Sequence, residues 1–425
     1  MKNIIISECE GLLIEDNYSK ALSQNEANEL NLFIEEKSLN KDFIKWDRQY
    51  VTFINYVGYI KLSTCIIEIL PKVKSNDFEK SREVLVKMLA MVGHIDVKFT
   101  DLTSLKITKN NLFEIYAYIF AQKLKREILK GIYSDYITYT DNLTVLKGRL
   151  NVNAQMKNII QKNLKANCQF DEFSINNALN QVFKRALTIL IKNIKNDSTL
   201  KILKFCLLNF ADVEDKVIGQ DEVNKVLLNR SNKRFYESFV LAKMFILNMT
   251  SLTSLGSYKG FSILFEMQDL FEKYITEVIS RNIEKIDLEL DRGYKLLKNK
   301  KTNRGIFDLN PDIVIKKDSK DILIIDTKWK QISSSYNRHG VKREDLYQMY
   351  AYLTRYQDVN DVVLLYPYNE YVAEGSGKFL EEWYLENDRN KMIKVYSVNY
   401  EDEDSLIEET KNMIDNLLER YGTIT

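Results

Sequence analysis

Residues 310–330 read NPDIVIKKDSKDILIIDTKWK, and this stretch decides how the C-terminal part of the chain folds. A Pro-Asp pair opens a short apolar run, a polar turn follows, and a second apolar run, Ile322–Ile325, ends at Asp326. A continuous apolar run of this kind is typical of a strand buried on both faces. The stretch therefore predicts two antiparallel strands joined by a turn centred near Ser319.

Two aspartates and one lysine are brought together by this predicted hairpin. A turn centred near Ser319 places Asp312 directly opposite Asp326, with Cβ atoms roughly 4.5–5.5 Å apart. Lys328 lies on the same face as Asp326, because strand residues two apart point the same way. Two carboxylates this close repel unless a cation lies between them, and Mg²⁺ prefers one or two carboxylates with water and phosphate oxygens. The pattern predicts metal-assisted phosphodiester hydrolysis, with Lys328 serving the attacking water. An ordinary hairpin with a surface aspartate pair is the alternative.

The sequence Asp-x-Lys is a weak signal when it stands alone. It occurs three times in this chain, at Asp96–Lys98, Asp318–Lys320 and Asp326–Lys328. The first has no Pro-Asp upstream, and the second lies in a polar turn. Only the third follows a buried apolar run, so the candidate site belongs there.

Two helices flank the hairpin and contribute further candidates. Glu272 lies at the edge of an apolar stripe within residues 266–283, where it can reach a site at the sheet edge. Gln348 and Tyr352 are four residues apart and share one face of a helix. Gln348 can bind a phosphate or a metal-bound water, and Tyr352 can contact DNA. The alternatives are a solvated helix glutamate and a helix face packed on the sheet.

Composition excludes several classes of protein. The chain has 425 residues, with 45% apolar and 28% charged residues and a net charge of +1, which favours a globular protein of two or three domains. No run approaches the roughly 20 apolar residues of a membrane span. Four cysteines without a CxxC pair disfavour a disulfide framework and indicate a reducing cytoplasm. With only two histidines, hydrolytic chemistry is expected to use carboxylates and lysines.

Hydrophobic periodicity predicts an α/β fold, α+β overall, in three consecutive parts. Residues 1–130 are expected to form a β-rich N-terminal domain, strand-rich over residues 1–75 with strands at Lys2–Ser7 and Cys65–Leu70, and helical at Asn111–Leu129. Residues 131–255 form a mostly helical, basic middle region, and a Ser/Gly-rich segment at 251–260 marks its end. Residues 256–425 follow the order helix, strands, helix, strand, which is typical of nuclease domains with a mixed sheet flanked by helices.

Together these residues resemble a known superfamily. Glu272, the Pro-Asp pair, Asp-x-Lys after a strand and Gln-x-x-x-Tyr resemble the PD-(D/E)xK nucleases of the RecB-like branch. The rest of the chain is similar to McrC, the nuclease subunit of the McrBC modification-dependent restriction system. The segments that carry this second resemblance are Val57–Ile60, Glu68–Lys72, Lys147–Leu150, Asp171–Ser174 with Leu179–Asn180, and Leu270–Glu272.

The resemblance implies a set of roles and partners. Asp312 and Asp326 would bind Mg²⁺, with Mn²⁺ as a substitute and the Thr327 carbonyl as an added ligand, while Glu272 and Gln348 support Lys328. The partner would be an AAA+ GTPase of the McrB type, which alone binds GTP and in the best-known members recognises 5-methylcytosine. Residues 1–130 would dock onto it, and double-stranded DNA would be the substrate. The candidate DNA contacts are Tyr352, Lys330, Lys147 and Arg149.

Three functions remain open from the sequence. The first is a metal-dependent endonuclease subunit that stimulates the GTPase. The second is a non-catalytic, DNA-binding adaptor that stimulates the ring. The third is a self-sufficient restriction or repair nuclease. For Lys147 and Arg149, a glycine-containing turn before a strand is an equally good explanation.

Overall fold

The computed structural model describes residues 2–16, 18–74, 77–93, 111–250, 261–282, 287–289, 294–317 and 320–419. Two compact units divide the chain. The first comprises Met1–Tyr59, Thr64–Lys109 and Leu264–Thr425, and the second comprises Ile60–Ser63 and Asn110–Ile263.

Both units contain strands. In chain order these are β1 (Lys2–Ser7), β2 (Gly11–Leu13), β3 (Ile44–Trp46), β4 (Tyr50–Phe53), β5 (Tyr56–Lys61), β6 (Cys65–Leu70), β7 (Asp135–Leu143), β8 (Arg149–Leu150), β9 (Ala166–Ser174), β10 (Phe261–Glu266), β11 (Asp287–Glu289), β12 (Tyr294–Lys298), β13 (Gly305–Leu309), β14 (Ile313–Lys317), β15 (Lys320–Thr327), β16 (Asp361–Pro367), β17 (Lys378–Leu385) and β18 (Asp388–Val398).

The α-helices of the described ranges are α1 (Gln24–Glu36), α2 (Phe78–Met91), α3 (Leu112–Leu129), α4 (Val152–Ile160), α5 (Ala178–Asn193), α6 (Asp197–Asn209), α7 (Gln220–Asn224), α8 (Tyr236–Thr250), α9 (Met267–Asn282), α10 (Arg343–Arg355) and α11 (Glu403–Leu418). None of these helices is long and apolar enough to cross a membrane. The mixture of helices and sheets confirms the α/β class.

The sheet that carries the candidate site has six strands in the order β11-β14-β15-β16-β18-β17. Strands β14 and β15 are antiparallel, whereas β15, β16 and β18 run parallel to one another. The apolar run Ile322–Ile325 lies in β15 and is buried, as predicted. Side chains such as Met349 and Leu353 of α10 cover one face of this sheet and pack in one cluster with Val362 and Leu364 of β16. This packing fixes α10 beside the end of β15.

A second sheet of the chain has the order β1-β6-β5-β10, with β1 parallel to β6. Strands β1 and β6 have the bounds that the sequence predicts. The strand-rich interpretation of residues 1–75 nevertheless misses α1. Ser23 and Glu26 form a capping box at the start of this helix, with the Ser23 side chain accepting from Glu26 N.

The second unit combines the sheet β7-β9-β8 with helices α3 to α8. Its division from the first unit differs from the predicted domain boundaries. Residues 111–129 belong to the second unit, whereas residues 1–59 and 264–425 form one unit. The predicted boundary at 251–260 lies outside the described residues.

Candidate functional site

The register of the β14–β15 hairpin agrees with the prediction over the part that is farther from the turn. Ile313 lies opposite Ile325, Val314 opposite Ile324, and Ile315 opposite Leu323. The register then shifts by one residue between Ile315 and Lys316. The predicted turn centre, Ser319, lies outside the described residues. Asp312, one residue before β14, and Asp326, near the end of β15, are therefore at the same end of the hairpin.

The Asp312 carboxylate is anchored to the neighbouring strand. Its Oδ2 accepts hydrogen bonds from the Thr327 backbone N and the Thr327 Oγ1, both at 2.7 Å. Burial and the nearby charge of Glu272 raise the pKa of Asp312 to about 6, although the Thr327 hydrogen bonds and Lys328 oppose this shift. The carboxyl group is thus held in place, but its neighbours do not fully stabilise its negative charge.

Asp326 is fully buried, and its two oxygens have different surroundings. Oδ1 lies 3.3 Å from both Gln348 Nε2 and the Tyr352 hydroxyl. Oδ2 forms an ion pair with the Lys328 ammonium but accepts no hydrogen bond of good geometry from the described residues. Burial, followed by the charge of Asp312, raises the pKa of Asp326 to about 6. Lys328 is therefore the cationic partner of this carboxylate oxygen.

Lys328 links Asp326 to helix α10. Its Nζ donates to Gln348 Oε1 at 3.0 Å and contacts Asp326. Burial acts to lower the pKa of Lys328, but the neighbouring Asp326 and Asp312 carboxylates outweigh it and raise the pKa. The lysine consequently stays positively charged at neutral pH.

The predicted Gln348–Tyr352 pair lies on the site-facing side of α10. Gln348 Nε2 donates to the Tyr352 hydroxyl at 2.8 Å. That hydroxyl has one proton for two acceptors, Asp326 Oδ1 and the Asn310 carbonyl at 3.0 Å. Tyr352 is only 1% exposed. Its ring is packed in the core and its hydroxyl lies against Asp326, while the contact of Tyr352 with DNA stays a prediction.

Glu272 lies on α9 and is half-buried. Burial raises its pKa, and the charges of Asp269 and Asp326 raise it further. Since Glu272 also raises the pKa of Asp312, it lies close enough to interact with both aspartates. The structure thus brings Glu272 to the predicted group of residues.

A residue that sequence reasoning missed, Gln268, holds the end of β15. Its Nε2 donates to the Thr327 carbonyl at 2.8 Å, and its Oε1 accepts from Trp329 N at 2.8 Å. The Thr327 carbonyl, expected as an added metal ligand, is already hydrogen-bonded. The available signal was spacing, because Gln268 is four residues before Glu272 on the same helix.

The three other candidate DNA contacts are engaged or lie in the other unit. Lys330 Nζ forms hydrogen bonds of 2.8 and 2.9 Å to both oxygens of Asp345. Lys147 pairs with Glu172 and lies 4.3 Å from the Phe170 ring centroid. Arg149 is exposed in β8. Lys147 and Arg149 belong to the second unit, whereas the aspartates belong to the first.

The fit of these residues to a metal ion can be judged from their donor atoms. Within the described ranges, no group of three or more His, Cys, Asp and Glu side chains is arranged to hold a metal. Two neighbouring carboxylates with raised pKa values do match what a hard cation requires, since Mg²⁺ takes one or two carboxylates and completes its shell with water and phosphate oxygens. Asp312 and Asp326 could therefore hold such an ion.

This arrangement defines a class of protein: a mixed α/β fold with a buried acid–lysine site at the end of a central hairpin. The chain belongs to the McrBC family, whose model, described as a McrBC 5-methylcytosine restriction system component, matches residues 51–367.

Individual relatives agree with this assignment. The chain is 25% identical over 281 residues to the type IV methyl-directed restriction enzyme EcoKMcrBC of Escherichia coli (strain K12), covering 62% of this chain and 78% of the relative. Its fold is similar to a chain in a refined half-complex from the tetradecameric assembly of Thermococcus gammatolerans McrB AAA+ hexamers with bound McrC. That match has a TM-score of 0.74 and 18% identity, and covers 97% of this chain and 100% of the other. A chain of the Thermococcus gammatolerans McrBC complex matches with a TM-score of 0.50 and 21% identity, covering 66% and 88%.

Proposed function

We propose that this protein is the DNA-cleaving component of a modification-dependent restriction system, with a nuclease site of the PD-(D/E)xK type. The observation that carries the proposal is the convergence of Asp312, Asp326 and Lys328 at one end of the β14–β15 hairpin, with Gln348 bonded to Lys328. Two buried carboxylates repel each other and lower the stability of the fold, but together they can bind a metal ion, and the charged lysine beside them can bind a phosphate.

In the proposed reaction Asp312 and Asp326 would hold Mg²⁺, or Mn²⁺ in its place, through their carboxylate oxygens. The bound cation would supply a more acidic water and stabilise negative charge on the phosphate. Lys328, being charged, would act as a donor to the phosphate or the attacking water rather than as a base. Gln348 would keep Lys328 and Asp326 in one orientation. Glu272, which lies on α9, would help to hold the attacking water.

The proposed partner is an AAA+ GTPase of the McrB type, which would supply GTP binding and recognition of 5-methylcytosine. The similarity in fold to a chain found with McrB AAA+ hexamers supports this. Residues 1–130 were the predicted docking region. The second unit offers a better candidate, because ten large, exposed apolar side chains of the described residues lie between residues 136 and 173.

The replacement Asp326→Asn tests the proposed site. In the complex with its partner GTPase, this variant should lose at least 99% of metal-dependent DNA cleavage and keep normal circular dichroism and stimulation of GTP hydrolysis. Mg²⁺ should raise the unfolding temperature of the wild type but not of this variant, since a ligand of the native state stabilises it. Asp321→Asn is the control, because Asp321 lies at the opposite end of the same strand.

Other outcomes would point to the competing functions. Undiminished cleavage by Asp326→Asn would remove this site from the reaction. GTPase stimulation with no cleavage in either Mg²⁺ or Mn²⁺ would make the protein a non-catalytic adaptor. Cleavage of a defined sequence by the purified chain alone would make it a self-sufficient nuclease.

A further inference from the structure

A cavity of about 350 Å³ lies in the first unit, where strands of two sheets end. Strands β1 and β6 are parallel, and so are β15, β16 and β18. The cavity is lined by residues that lie one or two positions after the end of each of these five strands. One from each is Glu8, Lys72, Trp329, Tyr368 and Tyr400. The crevice beyond the carboxyl ends of parallel strands is where α/β proteins bind ligands, and this volume is within the range of small-molecule sites.

Aromatic rings form much of the wall. Trp329 and Tyr400 contact edge to face, with ring centroids 5.1 Å apart. Tyr368 and Tyr371 lie on the loop after β16, and Tyr371 is 49% exposed. Nucleic-acid bases stack on aromatic rings of this kind whatever their sequence. The wall therefore favours a planar, aromatic ligand.

Lysines accompany these rings and favour an anion. The Lys74 ammonium lies 3.8 Å from the Tyr368 ring centroid, and that of Lys72 lies 5.9 Å from the Tyr371 centroid. Lys342, at the start of α10, also lines the cavity. Because basic side chains stand beside aromatic ones, the ligand should combine a planar ring with a phosphate.

Glu8 supplies a buried carboxyl group to the wall. It is 5% exposed, and its Oε1 accepts from Trp329 Nε1 at 2.7 Å. Its Oε2 is buried and has no side-chain partner within the described residues, although the Lys72 backbone interacts with the carboxyl group. Burial raises the pKa of Glu8 to about 8, so the carboxyl is mainly protonated at neutral pH. A protonated carboxyl both donates and accepts, which matches the adjacent donor and acceptor on the edge of a base.

We propose that this cavity binds a single nucleotide, with the base between the aromatic rings and within reach of Glu8, and the phosphate near Lys72 and Lys342. Trp329 and Lys330 immediately follow Lys328 in the chain. If the proposed cleavage function holds, the occupant is a nucleotide of the DNA held next to the cleaved phosphate. Binding itself does not depend on cleavage.

Isothermal titration calorimetry of the full chain in EDTA tests the proposal with the four deoxynucleoside 5′-monophosphates as probes. The absence of metal keeps this test separate from that of the nuclease site. We expect one saturable site that is weakened at least tenfold by Lys72→Gln/Lys342→Gln and by Tyr371→Ala. Both variants alter side chains at the mouth, so the fold should survive.

Two controls match these changes. Lys320→Gln removes an exposed lysine at the opposite end of β15, and Tyr350→Ala removes a tyrosine that is also 49% exposed. Neither should affect binding. The proposal is overturned by the absence of saturable binding, by equal weakening in the controls, or by inorganic phosphate binding as tightly as the nucleotides.

The source of the nucleotide is distinguished by a duplex with one unpaired 2-aminopurine. Quenching of its fluorescence in the wild type, lost in Tyr371→Ala, would support a nucleotide extruded from DNA. Monophosphate binding without such quenching would support a free nucleotide as the ligand. Failure of both probes would contradict the proposal.

Discussion

Glu8 lies just after β1, and its carboxyl group remains mainly protonated at neutral pH. Burial raises its pKa by more than the hydrogen bonds from Trp329 and Lys72 and the charge of Lys72 lower it. Its pKa is raised from 4.5 to about 8, so between these pH values the native state binds more protons than the unfolded chain. Stability must therefore fall as the pH rises through this window. The loss of stability caused by ionising the buried Glu8 carboxyl is complete above about pH 8 and absent below about pH 4.5.

Glu8→Gln removes the titrating group and keeps the acceptor for Trp329. We expect the free energy of unfolding of this variant, relative to wild type, to increase between pH 5 and pH 8.5. The increase should be on the order of 2–4 kcal/mol, since one pKa unit corresponds to about 1.36 kcal/mol. Urea unfolding at both pH values measures it, with the exposed Glu386→Gln as control. A difference independent of pH would mean that Glu8 is ionised in the native state.

At the scale of single residues, the sequence predicted which side chains lie close together when they are near one another in the chain. Asp326 and Lys328 are two apart on one strand, and the hairpin register brings in Asp312. For Tyr352 the sequence left open a contact with DNA and a helix face packed on the sheet, because residue type alone does not reveal burial. Gln268 was missed because its contacts to Thr327 and Trp329 span about 60 residues, although its spacing from Glu272 on α9 is a local signal that points to it.

Among single elements, the turn before β8 depends on one glycine. Gly148 has a φ of +67°, and a Cβ placed there would lie 2.4 Å from the Gln169 carbonyl oxygen of β9. Gly131 has a φ of +111°, but a Cβ there would have no described atom within 4 Å. Replacing either glycine by alanine therefore strains the backbone. Only at Gly148 does the added Cβ also collide with a neighbouring atom.

Gly148→Ala should therefore destabilise the protein more than Gly131→Ala does. We expect about 1–2 kcal/mol for the strain common to both and about 1–3 kcal/mol more for overpacking at Gly148. Thermal unfolding of the two variants measures the difference. Equal losses would mean that the backbone of β9 moves away without cost. This close approach accounts for Gly148, while the DNA contacts of Lys147 and Arg149 stay a prediction.

Whole elements were predicted best where periodicity is strong and local. Strands β1 and β6 and helix α3 were placed within one residue, and the apolar run of β15 identified the central hairpin. Helix α1 was missed because the surrounding strands dominated the interpretation, although Ser23 and Glu26 form the recognisable S-x-x-E capping box. The register shift after Ile315 is an irregularity that no alternation pattern predicts.

On the scale of the whole molecule, the order of segments did not predict the compact units. Strand β10 joins the sheet of β5 and β6, nearly 200 residues earlier in the chain. The Met267 backbone N also donates to the Asn55 carbonyl at 2.8 Å. Such pairings over long sequence separations depend on tertiary packing and leave no periodic signal. In chain order the second unit is consequently an insertion within the first, whereas the sequence predicts three consecutive domains.

An apolar surface on the second unit provides the last prediction. Helix α4 exposes Val152, Met156, Ile159 and Ile160, each more than half exposed. Exposed apolar groups of this size and continuity usually mark a protein interface. If the GTPase docks here, charges on α4 should weaken the complex with little effect on folding, because these side chains are already in water.

The double variant Met156→Asp/Ile159→Asp should reduce partner binding at least 30-fold and abolish stimulation of GTP hydrolysis, while the unfolding temperature stays within about 2 °C of wild type. Lys157→Glu on the same helix makes the same change in net charge and should bind normally. Asp326→Asn should show the opposite pattern, losing cleavage and keeping stimulation. Normal stimulation by the double variant would return the docking site to residues 1–130. Loss of binding in Lys157→Glu as well would attribute the effect to charge rather than to the apolar surface.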